Sequence, residues 1–333
     1  MRIAVLFGGV SEEREISIAS AAQIIPALRA LGHEVVAVDA MHGPLLVTEE
    51  NAVLTTEVSA AAPESQAMSV ASGPGALSAG ALNACSFDVV FLALHGGSGE
   101  DGRIQSMLSL AGVPYTGSNH IASALTMDKD LSKRIVCAVG VPTAAWLMHP
   151  AEKSAVSEIL GWPVVVKPNK QGSTVGLTVV HAQEEFDAAV KLAARFDDEV
   201  MLEKYIPGRE FTVGIIDGRA LPVGEILVPG EVFDYRAKYQ LGGAREIFPA
   251  DISEQETALL QNHALRAHMA LKLGSYSRVD FRRDNEGMYW FLEANSLPGM
   301  TATSLLPQAA KAAGISFPAL LERICRSAVR PRS

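Results

Sequence analysis

The segment RVDFRRDNEGMYWFLEAN, residues 278–295, reads as a β-hairpin whose two faces differ in kind. Asp284-Asn285-Glu286-Gly287 is a turn cluster between two runs of alternating character. With those four residues as the loop, Arg283 opposes Met288, Asp280 opposes Phe291 and Arg278 opposes Glu293. Side chains two apart share a face of a strand, so Val279, Phe281, Trp290 and Leu292 make an apolar face fit for a core. Arg278, Asp280, Glu293 and Asn295 gather on the other face, with Arg282 nearer the turn. Two carboxylates and an amide oxygen are hard donors of the kind Mg²⁺ prefers, and Mg²⁺ usually bridges protein carboxylates to substrate phosphates. An exposed polar face would show the same pattern, and a slip of one residue would scatter the set over both faces.

The rest of the chain is long enough to give that hairpin a setting. Its 333 residues suit roughly two or three domains. Hydrophobic residues at 48% and charged ones at 20% describe a globular protein with a sizeable core. A net charge of −9 argues against a nucleic-acid or anionic-membrane partner. Cys85, Cys137 and Cys325 are far apart, lack metal-ligand spacing and read as buried small hydrophobes in a reducing compartment. The N-terminal apolar run is too short for a signal peptide, and no stretch approaches the ~20 apolar residues of a membrane span. A cytoplasmic location is expected.

Residues 3–7 form a short apolar run closed by Gly8-Gly9, a buried strand and tight turn. A helical pattern runs to about residue 31, with Pro26 expected to kink or shorten it. Strands follow at 34–39 and 88–94, so the first ~120 residues predict an open, mostly parallel sheet. Its ligand-facing loops are then 8–13 and 95–101, at the carboxyl ends of the strands. The Ala-, Ser-, Gly- and Pro-rich residues 58–83 read as a mobile loop or insertion. Further strands are expected at 163–168, 199–205 and 210–216, and helices at 254–271 and 317–328.

Three other segments carry chemistry. KPNKQGSTVG (167–176) ends a strand in Lys167 and continues as a Gly and hydroxyl loop, offering an ammonium and backbone N–H groups to phosphate. It is not a Walker sequence, because the lysine precedes the glycines, and an ordinary hairpin turn would look alike. Lys129 in TMDKDLSKR is a second phosphate candidate, or a solvated surface lysine. EKYIPGRE (203–210) is a strand edge that can meet an adenine through its backbone, with carboxylates at both ends for an amino group and ribose hydroxyls; a plain strand and turn reads the same. In ANSLPGMTATSLLP (294–307), Pro298-Gly299 forces a turn, and Ser304 and Leu305 open a helix whose donors suit an anion or simply cap it.

Taken in order, these segments resemble the D-alanine–D-alanine ligases of the ATP-grasp superfamily. The resemblance spans nearly the whole chain: GGVSEEREIS (8–17), ALHGGSGEDG (93–102), PYTGS (114–118), MDK (127–129), VKPNKQGSTVG (166–176), EKYIPGREFTV (203–213), FDYRAKY (233–239), RVDF (278–281) and EANSLPGMTATSLLP (293–307). It implies an ATP-grasp fold, α/β and α+β. A Rossmann-like parallel-sheet domain (1–117) would precede two grasp domains (118–203 and 204–333), the last carrying the hairpin.

The resemblance also implies roles. Lys129 and Lys167 would contact ATP phosphates, Glu203, Lys204, Ile206 and Glu210 would line the adenosine pocket, and Lys238, next to the Tyr239 of a loop-closing trio, would also bind the nucleotide. Asp280, Glu293 and Asn295 would bind two Mg²⁺ ions, for which Mn²⁺ can substitute. Arg278 would stabilise the transferring phosphate and a later tetrahedral intermediate, with the Gly299 N–H completing an oxyanion site. Glu13 would pair with the ammonium of the first D-alanine, near His95, and Ser304 and Leu305 would hold the carboxylate of the second. Glu13, Ser173 and Tyr239 match a hydrogen-bonded trio that closes a flexible loop. Tyr239 is the residue of dipeptide-forming members, so D-alanine is expected over D-lactate as acceptor. Family members are often dimers, and a homodimer is expected on that ground alone. Ser296-Leu297 replaces the commoner Thr-x, Arg236 stands where an acid is usual, and Val232-Phe233 replaces an aromatic pair. Rival readings are another ATP-grasp amino-acid ligase and a non-catalytic nucleotide-binding protein.

Overall fold

A computed structural model describes residues 1–55, 86–228, 230 and 243–329 of the chain. The 58–83 stretch and the FDYRAKY segment, with Lys238 and Tyr239, lie outside the described residues.

The chain opens with β1 (Arg2–Phe7), α1 (Arg14–Ala30), β2 (Glu34–Asp39), β3 (Gly43–Pro44), α2 (Val47–Leu54) and β4 (Val89–Leu92). These strands form one sheet in the order β3-β2-β1-β4. β1 runs parallel to both β2 and β4, and the short β3 is antiparallel at the edge. Ile3 to Phe7 are fully buried, as a continuous apolar strand covered on both faces must be. The chain leaves β1 toward β2 on one side and returns at β4 on the other. That reversal opens a crevice at the carboxyl ends, where the loops 8–13 and 95–101 meet as the sequence predicts.

α3 (Arg103–Leu110), α4 (His120–Met127), α5 (Lys129–Ala138), β5 (Trp146–Met148), α6 (Lys153–Ile159), β6 (Val164–Pro168), β7 (Thr178–Val180), α7 (Phe186–Ala193) and β8 (Val200–Lys204) follow. Here β5-β8-β6-β7 make an antiparallel sheet. Asn119 and Asp128 cap α4 and α5 by accepting the N–H groups of Ala122 and Leu131, each at 3.0 Å. Lys129 thereby begins a helix instead of ending one, which aims it at the loop after β6.

The third sheet contains β9 (Arg209–Ile216), β10 (Arg219–Ala220), β11 (Gly224–Leu227) and β12 (Arg245–Ile247), then, after α8 (Glu254–Ala270), β13 (Tyr276–Arg283) and β14 (Tyr289–Asn295). Its order is β12-β11-β9-β13-β14, with β10 on β9. Ser253 and Glu256 form a capping box that starts α8, and Leu260, Ala264 and Ala267 of that helix pack on Phe211, Phe281 and Phe291. α9 (Leu305–Ala312) and α10 (Phe317–Val329) return the chain to the first sheet, where Leu306, Leu320 and Ile324 share a core with Ile24 and Leu28.

The hairpin forms, but with a different register. Arg283 opposes Tyr289, Phe281 opposes Phe291, Asp280 opposes Glu293 and Arg278 opposes Asn295. The loop is 284–288, held by Asp284, which accepts the N–H groups of Glu286 and Met288 and the indole N–H of Trp290. The register shifts between Asp280 and Phe281, leaving Leu292 as a bulge. The core face is therefore Val279, Phe281, Tyr289, Phe291 and Ala294; Trp290 and Leu292, expected there, stand outside it. An extra residue inverts the alternation beyond it. The bulge is what restores Glu293 and Asn295 to the face of Arg278 and Asp280 after the slip had exchanged the faces of β14.

Two smaller expectations need correction. α1 is continuous through Pro26, which lies on the exposed side of the helix where water can serve the carbonyl deprived of its donor. Cys325 is buried, but Cys137 is exposed on α5, off the face that packs against the sheet; Cys85 lies outside the described residues.

Candidate active site

Two adjoining clefts meet at the hairpin. The first lies between the second and third sheets and is lined by Lys129, Lys167, Glu203, Lys204, Ile206, Glu210, Asp280 and Glu293 among others. The second is lined by Glu13, His95, Arg278, Glu293, Asn295, Gly299, Ser304 and Leu305 among others. Glu293 lines both, so it stands where a group held in one cleft meets a group held in the other.

In the first cleft, β6 delivers Lys167 and β8 delivers Glu203. Lys167 Nζ lies 2.5 Å from Glu203 Oε2, and the buried Lys133 of α5 donates a short hydrogen bond to Oε1. Burial alone would raise the Glu203 carboxyl, but the two ammonium groups outweigh it and hold it down to about 2. Lys129 Nζ donates to the Gln171 carbonyl at 2.6 Å and approaches Glu293 Oε2 at 3.5 Å. The loop after β6 is pinned to the start of α5 by Asn169. Its amide nitrogen donates to Asp128 and Glu199, and its oxygen accepts the Asp130 N–H at 2.9 Å. Glu210 is buried beside Arg282, at 3.7 Å.

At the junction, Arg278 grips Asp280 in a forked pair, Nη2 to Oδ2 at 2.8 Å and Nε to Oδ1 at 2.9 Å. Thr212 Oγ1 donates to Asp280 Oδ1 at 2.7 Å and Asn295 Nδ2 to Oδ2 at 3.1 Å. Both strands flanking β13 thus fix one carboxylate. Among the described residues no three acidic, histidine or cysteine side chains cluster as a metal site. Two carboxylates and an amide are what remain, a set that suits a cation sharing its coordination with phosphate oxygens.

The second cleft sits at the crevice of the first sheet. Ser173 Oγ donates a short hydrogen bond to Glu13 Oε1, closing the loop after β6 onto the start of α1. Ser173 and Thr174 hold φ of 51° and 59°, a left-handed conformation that costs non-glycine residues energy and often marks a working loop. A Cβ at Gly172 or Gly96 would lie 2.7 or 2.8 Å from Glu13 Oε2, so both glycines make room for that carboxylate. Burial lowers the His95 imidazole to about 4, despite its hydrogen bond to the Leu297 carbonyl, and the nearby Arg278 charge lowers it further. Its Nε2 lies 3.2 Å from Ser20 Oγ. Glu100 accepts the Gly96 N–H at 2.8 Å; burial and the Glu13 carboxylate push its carboxyl well above the usual range. Ser304 stands at the N-cap position of α9, but its Oγ turns back to Thr301 Oγ1 at 2.7 Å instead of bonding into the helix, while a Cβ at Gly299 would meet that Oγ at 3.0 Å.

Every described residue that the sequence nominated lines one cleft or the other. Lys133, Asn169, Glu100, Gly172 and Glu246, the last bordering the second cleft and accepting from Gln308 Nε2 at 2.5 Å, were missed. Glu100 and Gly172 lie inside quoted motifs and carry a readable signal, an acid and a glycine in loops facing a cleft. Lys133, Asn169 and Glu246 show theirs only through partners distant in sequence.

Comparison with known proteins agrees with this geometry. Residues 2–118 match the family model for the D-ala D-ala ligase N-terminus, and residues 135–326 match that for the D-ala D-ala ligase C-terminus. The chain is 41% identical over 330 residues to a D-alanine–D-alanine ligase of Gloeobacter violaceus, covering 97% of this chain and 98% of that one. It is 38% identical over 330 residues to the ligase of Marinomonas sp., covering 98% and 95%. A crystal structure of the Bacillus anthracis D-alanine–D-alanine ligase complexed with ATP superposes with a TM-score of 0.77 at 31% identity, covering 99% of this chain and 98% of that one. The chain belongs to the D-alanine–D-alanine ligase family and has its ATP-grasp fold.

Proposed function

We propose that the protein is an ATP-dependent ligase that joins two D-alanines into D-alanyl-D-alanine for peptidoglycan precursors. The observation that carries this is Glu293 at the meeting of a cleft suited to a nucleotide and a cleft suited to two small zwitterions. Glu203, Lys204, Ile206 and Glu210 bind adenosine, and Lys129 and Lys167 bind phosphates, as in the family pattern. Glu13 takes the ammonium of the first D-alanine. The carboxylate of that D-alanine attacks the γ-phosphorus, a P–O bond to ADP breaks, and an acyl phosphate forms.

Ser304 and Leu305, at the start of α9, hold the carboxylate of the second D-alanine. Its amine, as the free base, attacks the acyl carbonyl, and Arg278 and the Gly299 N–H take the developing oxyanion. The C–O bond to phosphate breaks as the amide forms, the departing phosphate taking the proton that nitrogen sheds. Asp280, Glu293 and Asn295 would hold Mg²⁺, which when bound offsets the charge of the triphosphate against the incoming carboxylate. Arg278 contributes the same neutralisation from the protein itself. Because an acyl phosphate hydrolyses, the Ser173–Glu13 bond matters: it shuts water out of the second cleft. By the family resemblance alone Tyr239, outside the described residues, would favour an amine over a hydroxyl acceptor.

The test is phosphate release from ATP and Mg²⁺ with D-alanine, L-alanine, D-serine or D-lactate, with products weighed by mass spectrometry. D-alanine-dependent release with a D-alanyl-D-alanine mass is expected. A different condensed product indicates another amino-acid ligase, and ATP binding without turnover a non-catalytic protein. D-lactate preferred in competition overturns the role given to Tyr239.

A further inference from the structure

Lys133 is fully buried, whereas Lys129 and Lys167 keep 9% and 8% of their surface. It lies one helical turn beyond Lys129 on α5, so both share a face and Lys133 sits behind the cleft. Its ammonium donates to Thr143 Oγ1 at 2.7 Å and to Glu203 Oε1, and stands 4.9 Å from the centre of the Trp146 ring. Trp146 and Glu203 are themselves paired across β5 and β8.

Each oxygen of Glu203 thus has its own lysine. Desolvating an ammonium is costly unless it is paired, and one lysine would suffice to pair one carboxylate. The second gives the group a net positive charge next to the cleft, which an anionic ligand relieves. The two lysines are not equivalent: Lys167 borders the cleft and can turn to phosphate, while Lys133 is walled in and cannot follow.

We propose that Lys133 is a positioning residue that keeps Glu203 charged and fixed when Lys167 engages the triphosphate, so that Glu203 Oε2 can accept the 6-amino group of adenine. The inference rests on the reading of Glu203 as an adenosine-pocket residue. It assigns Lys133 a part in choosing the base, although it touches no substrate. A site built to accept an N–H rejects the analogue that lacks it, so base preference reports on the orientation of Glu203.

The experiment compares ATP with ITP, which carries a 6-oxo group in place of the amine, as substrate for the wild-type chain and for Lys133→Met. Expected is a fall in kcat/KM for ATP of about tenfold to a hundredfold, larger in KM than in kcat, with the ATP:ITP preference reduced at least about tenfold. A folded Lys133→Met protein that keeps the wild-type ATP:ITP ratio overturns the proposal. Should that variant not fold, Thr143→Val, which removes the other acceptor of Lys133 with little change of shape, is expected to shift the ratio in the same direction, and an unchanged ratio there also overturns it. A wild-type protein indifferent to the base would instead overturn the adenine reading of Glu203.

Discussion

Ser173 Oγ bonds to Glu13 Oε1 across 160 positions of sequence, tying the loop after β6 to the first turn of α1. Hydrogen bonds to charged groups contribute about 1.5–3 kcal/mol. Ser173→Ala is therefore expected to lower kcat/KM for D-alanine by about tenfold to a hundredfold. Ser173→Gly relieves the positive φ but also lacks the hydroxyl, so it should be impaired similarly. Full activity in Ser173→Gly would show that the backbone conformation, and not the hydroxyl, is what the loop requires.

Gly172 supports the same carboxylate by having no side chain. A methyl group there must push Glu13 aside, since 2.7 Å is closer than real Cβ contacts come. Gly172→Ala should raise the KM for the first D-alanine by about tenfold with little loss of thermal stability. Steady-state kinetics at low and high D-alanine concentration checks this; an unchanged KM contradicts it.

Arg278 is held in place by Asp280 before any substrate arrives, which is what electrostatic preorganisation requires. Arg278→Lys keeps the charge but not the forked grip, and Arg278→Ala loses both. ADP formation in a single turnover should fall about a hundredfold in the first and about a thousandfold in the second. A wild-type rate of ADP formation in Arg278→Ala would remove Arg278 from phosphoryl transfer.

Two buried histidines set an acid limit to stability. Burial lowers both His95 and His268 to about 4 from an ordinary 6.5. Both are neutral in the folded chain above about pH 4, while the unfolded chain takes up protons below about 6.5. Stability present above pH 6.5 is thus lost as pH falls toward 4, by about 1.4 kcal/mol per pH unit for each group. His268 Nδ1 pairs with Ser277 Oγ at 2.8 Å, away from the clefts. His268→Asn should flatten the decline in unfolding free energy between pH 6.5 and 5; an unchanged slope contradicts the assignment.

The types of residue in the hairpin were legible in the sequence because strand alternation is local. Its register was not. The bulge at Leu292 breaks the period once, and the choice of Tyr289 and Phe291 over Trp290 and Leu292 for the core is made by α8, packing from elsewhere in the chain. The parallel first sheet was legible from continuous apolar runs closed by glycines. Lys133 was not, since a lysine in a helix reads as solvated until Glu203 and Thr143 are seen around it. Asn169 likewise gains its meaning from Asp128 and Glu199, contacts set by tertiary structure.

In the proposed mechanism the bulged hairpin gathers oxygen donors for a cation that works on the triphosphate. Its most direct test is Mg²⁺ titration of D-alanine-dependent phosphate release in the wild-type chain, Asp280→Asn and Glu293→Gln. Each variant is expected to fold normally, to need at least about tenfold more Mg²⁺ for half-maximal rate and to turn over at least about a hundredfold more slowly. Folded variants with the wild-type rate and the wild-type Mg²⁺ requirement would contradict it.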